Sequence, residues 1–354
     1  MVQKNSVTEV VQNYYGSVLS SSEDLKTNAC CTLEEIPEYI KKATGKIHDE
    51  VLSKYYGCGL VIPQTLEGMR VLDIGCGTGK DCYLLSQLVG EEGSVLGIDI
   101  TDEQLAVAKE HLDYHRNAFG YTKGNVAFQK ANIETIDTLD LPENSFDIVV
   151  SNCVFNLIED KQKAFQNVFR LLKPGGEMYF SDVYSDRRIP QHLTADPVLY
   201  GECLSGALYW KDFLRIAAKA GFIDPRLSKS SPITINEKEV ETKLGEIKFF
   251  SATYRLFKLA SLEDACEDYG QAIIYKGGIP HSEAYFDLDE HHHFPKGKTM
   301  PVCSNTFDML AQTRFQEYFE FIGNTETHYG IFEGCGISLP FTEANVANAG
   351  AACC

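Results

Sequence analysis

The 354 residues contain no lysine- or arginine-rich stretch, no basic-then-apolar leader and no apolar run of membrane-spanning length. A formal net charge of −18 repels phosphate backbones and anionic headgroups, so neither nucleic acid nor membrane is expected as a partner. The expected setting is cytoplasmic, and the expected state is a monomer. C-x-x-C is absent although twelve cysteines are present, which excludes zinc ribbons and thioredoxin-like motifs. So long a chain without a leader does not need a disulfide frame. Most of the twelve thiols are expected as small buried residues, with a subset free to meet as soft ligands. No internal repeat is evident. With 44% hydrophobic and 23% charged residues, the length allows two or three domains with full cores.

Among what is there, the stretch Val71 to Lys80 (V-L-D-I-G-C-G-T-G-K) organises the rest. An apolar strand carrying Asp73 breaks into Gly75, Gly77 and Gly79, where backbone must pass close to a ligand. A phosphate-binding P-loop would need glycine at Ile74 and Ser/Thr at Asp81, and it has neither. A G-x-G-x-x-G dinucleotide loop would need glycine at Lys80. The G-x-G-x-G spacing, with an acid two residues before it, resembles motif I of the S-adenosylmethionine-dependent methyltransferases.

Strands and helices alternate from Arg70 onward. Strands are expected at Val71–Ile74, Ser94–Asp99, Val126–Lys130, Phe146–Ser151 and Met178–Val183. Between them lie helices Asp81–Val89, a long one from Asp102 to Phe119, and Lys161–Leu172. Such alternation predicts a doubly wound parallel sheet with its ligand at the carboxyl ends of the strands. Asp99 ends its strand about 20 residues past the glycine loop, where an acid grips ribose hydroxyls. Ile100, Ile133 and Glu134 sit on neighbouring loops and suit an adenine. Asn152 takes the slot of the [DN]-P-P-[YF] signature of adenine-modifying methyltransferases, and here Asn152-Cys153-Val154-Phe155 puts a thiol at the acceptor position.

Beyond Ser185 the alternation stops. Ser231–Ile235 and Ile247–Phe257 read as strands of a small separate layer. Five segments are expected: N-terminal helices and cysteine loops (1–60), a methyltransferase domain (61–186), a substrate domain (187–260), a C-terminal domain (261–341) and a tail (342–354). His111 and His115 read as helix surface, His291-His292-His293 as a solvated loop, and Cys76 and Cys82 as packing residues. The terminal Cys353-Cys354 pair is either a soft-metal site or a flexible tail.

Four cysteine contexts then carry a specific likeness: T-N-A-C at Thr27–Cys30, Y-Y-G-C-G at Tyr55–Gly59, S-N-C at Ser151–Cys153 and G-E-C at Gly201–Cys203. Together with motif I they resemble the arsenite methyltransferases, over most of Val7 to Ile279. That resemblance implies a doubly wound, Rossmann-like class I methyltransferase sheet with smaller α+β substrate-binding and C-terminal domains. It implies S-adenosylmethionine as cofactor, bound by Tyr56, Asp73, Gly75, Gly77, Gly79, Asp99, Ile100, Ile133, Glu134 and Asn152. Arsenite and methylated arsenicals are the implied substrates, with Cys58, Cys153 and Cys203 as arsenic ligands. Cys30 and Cys58 are implied as a redox pair, reset by a thiol reductant such as thioredoxin or glutathione; the T-N-x-C register selects Cys30 over Cys31. Trivalent arsenic is thiophilic, so the donor type agrees with the likeness. A carbon methyltransferase acting on a quinone or sterol ring shares motif I, and a non-catalytic soft-metal sensor could share the fold. The quinone or sterol reading offers no role for Cys58, Cys153 and Cys203, and arsenite titration followed by a methyl-transfer assay separates all three.

Overall fold

Apolar strands that must be covered on both faces assemble here into one eight-stranded sheet. The computed structural model describes residues 36–334, apart from positions 56, 58, 140, 195, 197, 198, 201, 202 and 236. Two short helices, α1 (Glu38–Thr44) and α2 (Asp49–Ser53), precede β1 (Arg70–Ile74) and α3 (Lys80–Val89). There follow β2 (Ser94–Asp99), α4 (Asp102–Glu110), α5 (Leu112–Phe119), β3 (Val126–Lys130), β4 (Phe146–Asn152), α6 (Lys161–Leu171) and β5 (Leu172–Ser185). The sheet is completed by β6 (Leu208–Tyr209), then α7 (Trp210–Ala220), β7 (Arg226–Pro232), α8 (Lys238–Leu244) and β8 (Phe249–Phe257).

The strand order is β3-β2-β1-β4-β5-β8-β7, with β6 alongside β5. Strand β1 pairs in parallel with β2 on one side (Val71↔Val95) and with β4 on the other (Val71↔Ile148). The winding reverses between β1 and β4, so the loops leaving their carboxyl ends diverge and open a crevice. Helices α6 and α7 cover one face through Phe165, Phe213 and Ala217, against Phe180, Tyr184 and Tyr254 of the sheet. Helices α1 and α3 cover the other through Ile40, Ala43, Leu84 and Leu85, against Val71 and Val95.

Three expectations change. The late strands form no separate layer: β8 runs antiparallel to β5 from Glu177↔Phe257 to Ser185↔Phe249, and β7 adds outside it. Almost every residue of β8 is buried, so both its faces need cover and it takes a place within the main sheet. The long helix breaks at His111 (φ −97°, ψ 11°) into α4 and α5. His111 and His115 are also inside the protein, not on its surface, with 8% and 1% of their area exposed. His115 stacks on Tyr83 with ring centroids 3.5 Å apart, and its Nε2 accepts the His48 N–H at 3.2 Å. Burial pushes its pKa down to about 4, so it stays neutral and serves as an acceptor that docks α2 onto α5.

After β8 the chain builds a smaller unit. Strand Ala272–Tyr275 lies between Thr299–Pro301 and Phe319–Ile322, both antiparallel to it. Helix α9 (Ser304–Ala311) adds Met309 and Leu310 to a core with Ile273, Tyr275, Phe286, Phe294 and Phe315. Of the triple histidine, His292 departs from the solvated loop expected: its Nδ1 lies 2.8 and 2.9 Å from the Asp289 oxygens. Glu177 of β5 fastens this unit to the sheet. Its carboxylate is fully buried, lies 3.6 Å from Arg255 Nε, and accepts a hydrogen bond from Arg314.

Candidate active site

The loop after β1 carries the first part of the site. Gly75 has φ +72°, and a Cβ there would fall 2.2 Å from Val154 Cγ2, so both conformation and space demand glycine. The N–H groups of Gly75 and Cys76 donate to the Ile98 carbonyl at 2.8 and 3.1 Å, which stitches the loop to the end of β2. Asp99 closes the opposite wall: its Oδ2 accepts the Gly77 N–H at 2.9 Å and its Oδ1 the Thr101 N–H at 2.8 Å. Gly79, φ +85°, is the N-cap of α3 and does not line the cleft.

The cleft itself holds about 1050 Å³ of empty space. Asp73, Gly75, Gly77, Asp99, Ile100, Ile133, Glu134, Asn152 and Cys153 all line it. Its wall also includes Tyr55, Asp81 and Val154, which sequence reasoning missed. Asn152 explains the first two: its Nδ2 donates to Tyr55 Oη at 2.6 Å, to the Gly59 carbonyl at 2.7 Å and to Asp81 Oδ2 at 3.2 Å. Thus the end of β4 holds Tyr55 and Gly59 against the start of α3. Lys80 Nζ stands 3.4 Å over the Tyr55 ring, reinforcing that seat. Glu134 is partly committed elsewhere, since its Oε1 accepts the Asp160 N–H at 2.7 Å. Tyr56, Cys30 and Cys58 lie outside the described residues.

At the carboxyl end of β4 two cysteines meet. Cys153 and Cys203 have φ +56° and +60°, left-handed values rare for residues with a Cβ. Cys203 is fully buried, and its Sγ donates to the Cys153 carbonyl at 3.7 Å. Strain of this kind persists only where the surroundings enforce it, and it is common at functional sites. Cys153 is disulfide-bonded, whereas the likeness had implied a ligand thiolate there and a disulfide elsewhere. Behind the pair lie groups that the sequence did not single out. Asp182 Oδ2 accepts the Asn156 N–H at 3.0 Å, and Asn156 Nδ2 donates to the Val183 carbonyl at 2.7 Å and the Cys203 carbonyl at 3.5 Å. Lys161 donates to the Asn156 carbonyl at 3.1 Å. Burial draws its pKa down to about 8, opposed by Asp182, Glu134 and Cys203. An acid near the end of the mostly apolar run Met178–Val183 (M-Y-F-S-D-V) was the available signal.

A curated relative from Aquipseudomonas alcaligenes, an arsenite methyltransferase, is 54% identical over 98% of this chain and 99% of its own length. The chain belongs to the arsenite methyltransferases. The rat arsenite methyltransferase is 48% identical over 88% of this chain and 84% of its own. In structure, the chain is similar to an arsenic(III) S-adenosylmethionine methyltransferase from Chlamydomonas reinhardtii: the TM-score is 0.82 and the identity 47%, over 84% of this chain and all of that one. The family described as methyltransferase domain matches residues 66–221, and a domain of unknown function matches residues 262–331. The sheet is the Rossmann-like sheet of a class I methyltransferase, and S-adenosylmethionine is the family's methyl donor.

The arsenite methyltransferase cleft fits that cofactor on its own chemistry. Asp73, Asp81 and Asp99 all line the cleft, which suits a ligand bearing ammonium and sulfonium charges. Burial first, then Asp81, pushes the Asp73 carboxyl up to about 8, against a lowering hydrogen bond from Cys82 Sγ at 3.1 Å. Cys82 is buried, as expected of a packing residue, whereas Cys76, also buried, lines the cleft, and burial moves its thiol up to about 11. A cationic ligand favours the ionised Asp73, so below about pH 8 binding must release a proton. Cofactor affinity should therefore rise between about pH 6 and 8, by up to tenfold per pH unit, and flatten above. Calorimetry in two buffers of different ionisation enthalpy reads the proton release; none at about pH 7 would remove Asp73 from this role.

Proposed function

We propose that the chain transfers the methyl group of S-adenosylmethionine to trivalent arsenic held by Cys58, Cys153 and Cys203, and that Cys30 and Cys58 then reduce the product. The observation that carries this reading is the position of Cys153: it lines the cofactor cleft and touches Cys203, so one residue joins the methyl donor's space to a second sulfur. In the cleft, S-adenosylmethionine supplies an electrophilic methyl group on a sulfonium. The protein's part is to hold arsenic by thiolates so that its lone pair faces that group, and positioning of this kind supplies much of the rate gain. As the arsenic–carbon bond forms and the sulfur–carbon bond breaks, arsenic passes from the +3 to the +5 state. Two cysteine thiolates return two electrons and become a disulfide, and an external dithiol or glutathione reopens it.

Lys161 and Asp182 support the same reading. The ammonium lies in the field of Cys203, and a nearby cation favours the thiolate that ligation requires. Asp182, pushed up to about 7 by burial and relieved by the Val183 and Asn156 N–H groups, keeps the Cys203 backbone in place through Asn156. The disulfide at Cys153 must be opened before that sulfur can take arsenic, so an oxidised resting enzyme needs thiol reductant before its first turnover. The reducing interior of a cell supplies it.

The test counts ligands. Arsenite offers three exchangeable positions and monomethylarsenite two. Cys58→Ser should lose methylation of inorganic arsenite while keeping much of that on monomethylarsenite, since a serine hydroxyl does not replace a thiolate on a soft centre. Single-turnover assays with labelled cofactor read both substrates. Equal loss on the two would overturn the three-thiolate assignment.

A further inference from the structure

A second pair of thiols meets in the C-terminal unit, within the matched domain of unknown function at 262–331. Cys266 hydrogen-bonds the Cys303 sulfur. Cys303 is buried and is the N-cap of α9, and its Sγ lies 3.3 Å from Thr306 Oγ1 in the first turn. Cys266 is half-buried. Arg226, itself buried, faces the same sulfur while it pairs with Asp224 at 2.6 Å and Asp289 at 3.3 Å. The Cys266 hydrogen bond first, then Thr306 and Arg226, overcome burial and bring the Cys303 thiol down to about 5. A thiolate at a helix N-terminus beside a cation is the reactive form of cysteine.

What such a pair binds follows from counting donors. Among the described residues, the one group of three donors with metal-binding spacing is His48, Glu50 and His111, away from these sulfurs. His292, the nearby imidazole, has Nδ1 on Asp289 and Nε2 3.3 Å from Thr306 Oγ1. Two sulfurs without a third ligand underfill a zinc ion, which takes four. They match a trivalent arsenical that already carries one carbon and offers two exchangeable positions. We infer that Cys266 and Cys303 form a second arsenical site, outside the methyl-transfer site, that chelates a monosubstituted trivalent arsenical. The step is an exchange without redox change: R–As(OH)₂ and two thiols give R–As(SR)₂ and two waters. The inference goes beyond the methyl-transfer reading, because such a site would hold a singly methylated arsenical away from the cofactor cleft.

The probe is phenylarsine oxide added to the full chain, followed by excess monothiol to strip singly held arsenic, with native mass spectrometry counting the phenylarsenicals retained. Cys266→Ser, Cys303→Ser and the double variant should each retain one fewer than the unsubstituted chain, because one chelate needs both sulfurs. Cys266→Ala, at a half-buried position, guards against misfolding of the Cys303 variant. Arsenite methylation by Cys266→Ser should stay within about twofold of the unsubstituted enzyme, which separates this site from the cofactor cleft. An unchanged count in Cys266→Ser, or a double variant that loses two, would overturn the inference.

Discussion

Cys203→Ser is expected to abolish methylation of both inorganic arsenite and monomethylarsenite, by about a hundredfold or more. Cys203 is buried at the far side of Cys153, and in the proposed set it is a ligand for both substrates. Serine is nearly isosteric and keeps the same backbone demand at φ +60°, so the variant isolates the sulfur from the fold. A hydroxyl is a hard, protonated donor and cannot hold a soft centre against water. Cofactor affinity should be unchanged, since Cys203 does not line the cleft. Single-turnover methylation with both arsenicals, beside calorimetry for the cofactor, gives the answer. Retention of more than about a tenth of the activity on either substrate would remove Cys203 from the ligand set.

Glu177→Ala should destabilise the fold by about 3–5 kcal/mol, the cost of breaking a buried ion pair by deleting one partner. Glu177 is fully buried between Arg255, 1% exposed, and Arg314, which also donates from Nε to the Gln64 carbonyl and Thr65 Oγ1 at 3.0 Å each. Arg255 lies 5.2 Å from the Tyr179 ring centroid and 5.7 Å from that of Phe286, so it bridges the sheet and the C-terminal core. Without the carboxylate two buried guanidinium groups lose their nearest countercharge. Glu177→Gln should fall between, because it keeps hydrogen-bond acceptance and loses the charge. Urea unfolding of the three proteins reads the difference; a loss below about 1 kcal/mol for Glu177→Ala would show that the arginines find other partners.

Local chemistry in the chain was enough for the methyltransferase half. Strands with cover on both faces are largely apolar, so β1, β2 and β4 could be read directly, and glycine at Gly75 and Gly77 announced a close backbone approach. The acid at Asp99 and the thiol at Cys153 end strands of that same pattern, so their place at the crevice followed from topology alone. The four cysteine contexts narrowed the family, because several sulfurs in fixed settings are far less common than one glycine loop.

Tertiary structure decided what depends on distant partners. That β8 joins β5, that His115 stacks on Tyr83, and that Asn152 gathers Tyr55 and Asp81 rest on contacts between residues far apart in sequence. No periodicity encodes them. The left-handed backbone at Cys153 and Cys203 is likewise imposed by neighbours, since cysteine has no preference for it. Cys266 and Cys303 look like isolated small hydrophobes along the chain, and only folding turns them into a pair beside a buried arginine. Sequence determines which groups are available and which segments must be buried; packing determines which of those groups share a desolvated space, and it is desolvation that gives them their chemistry.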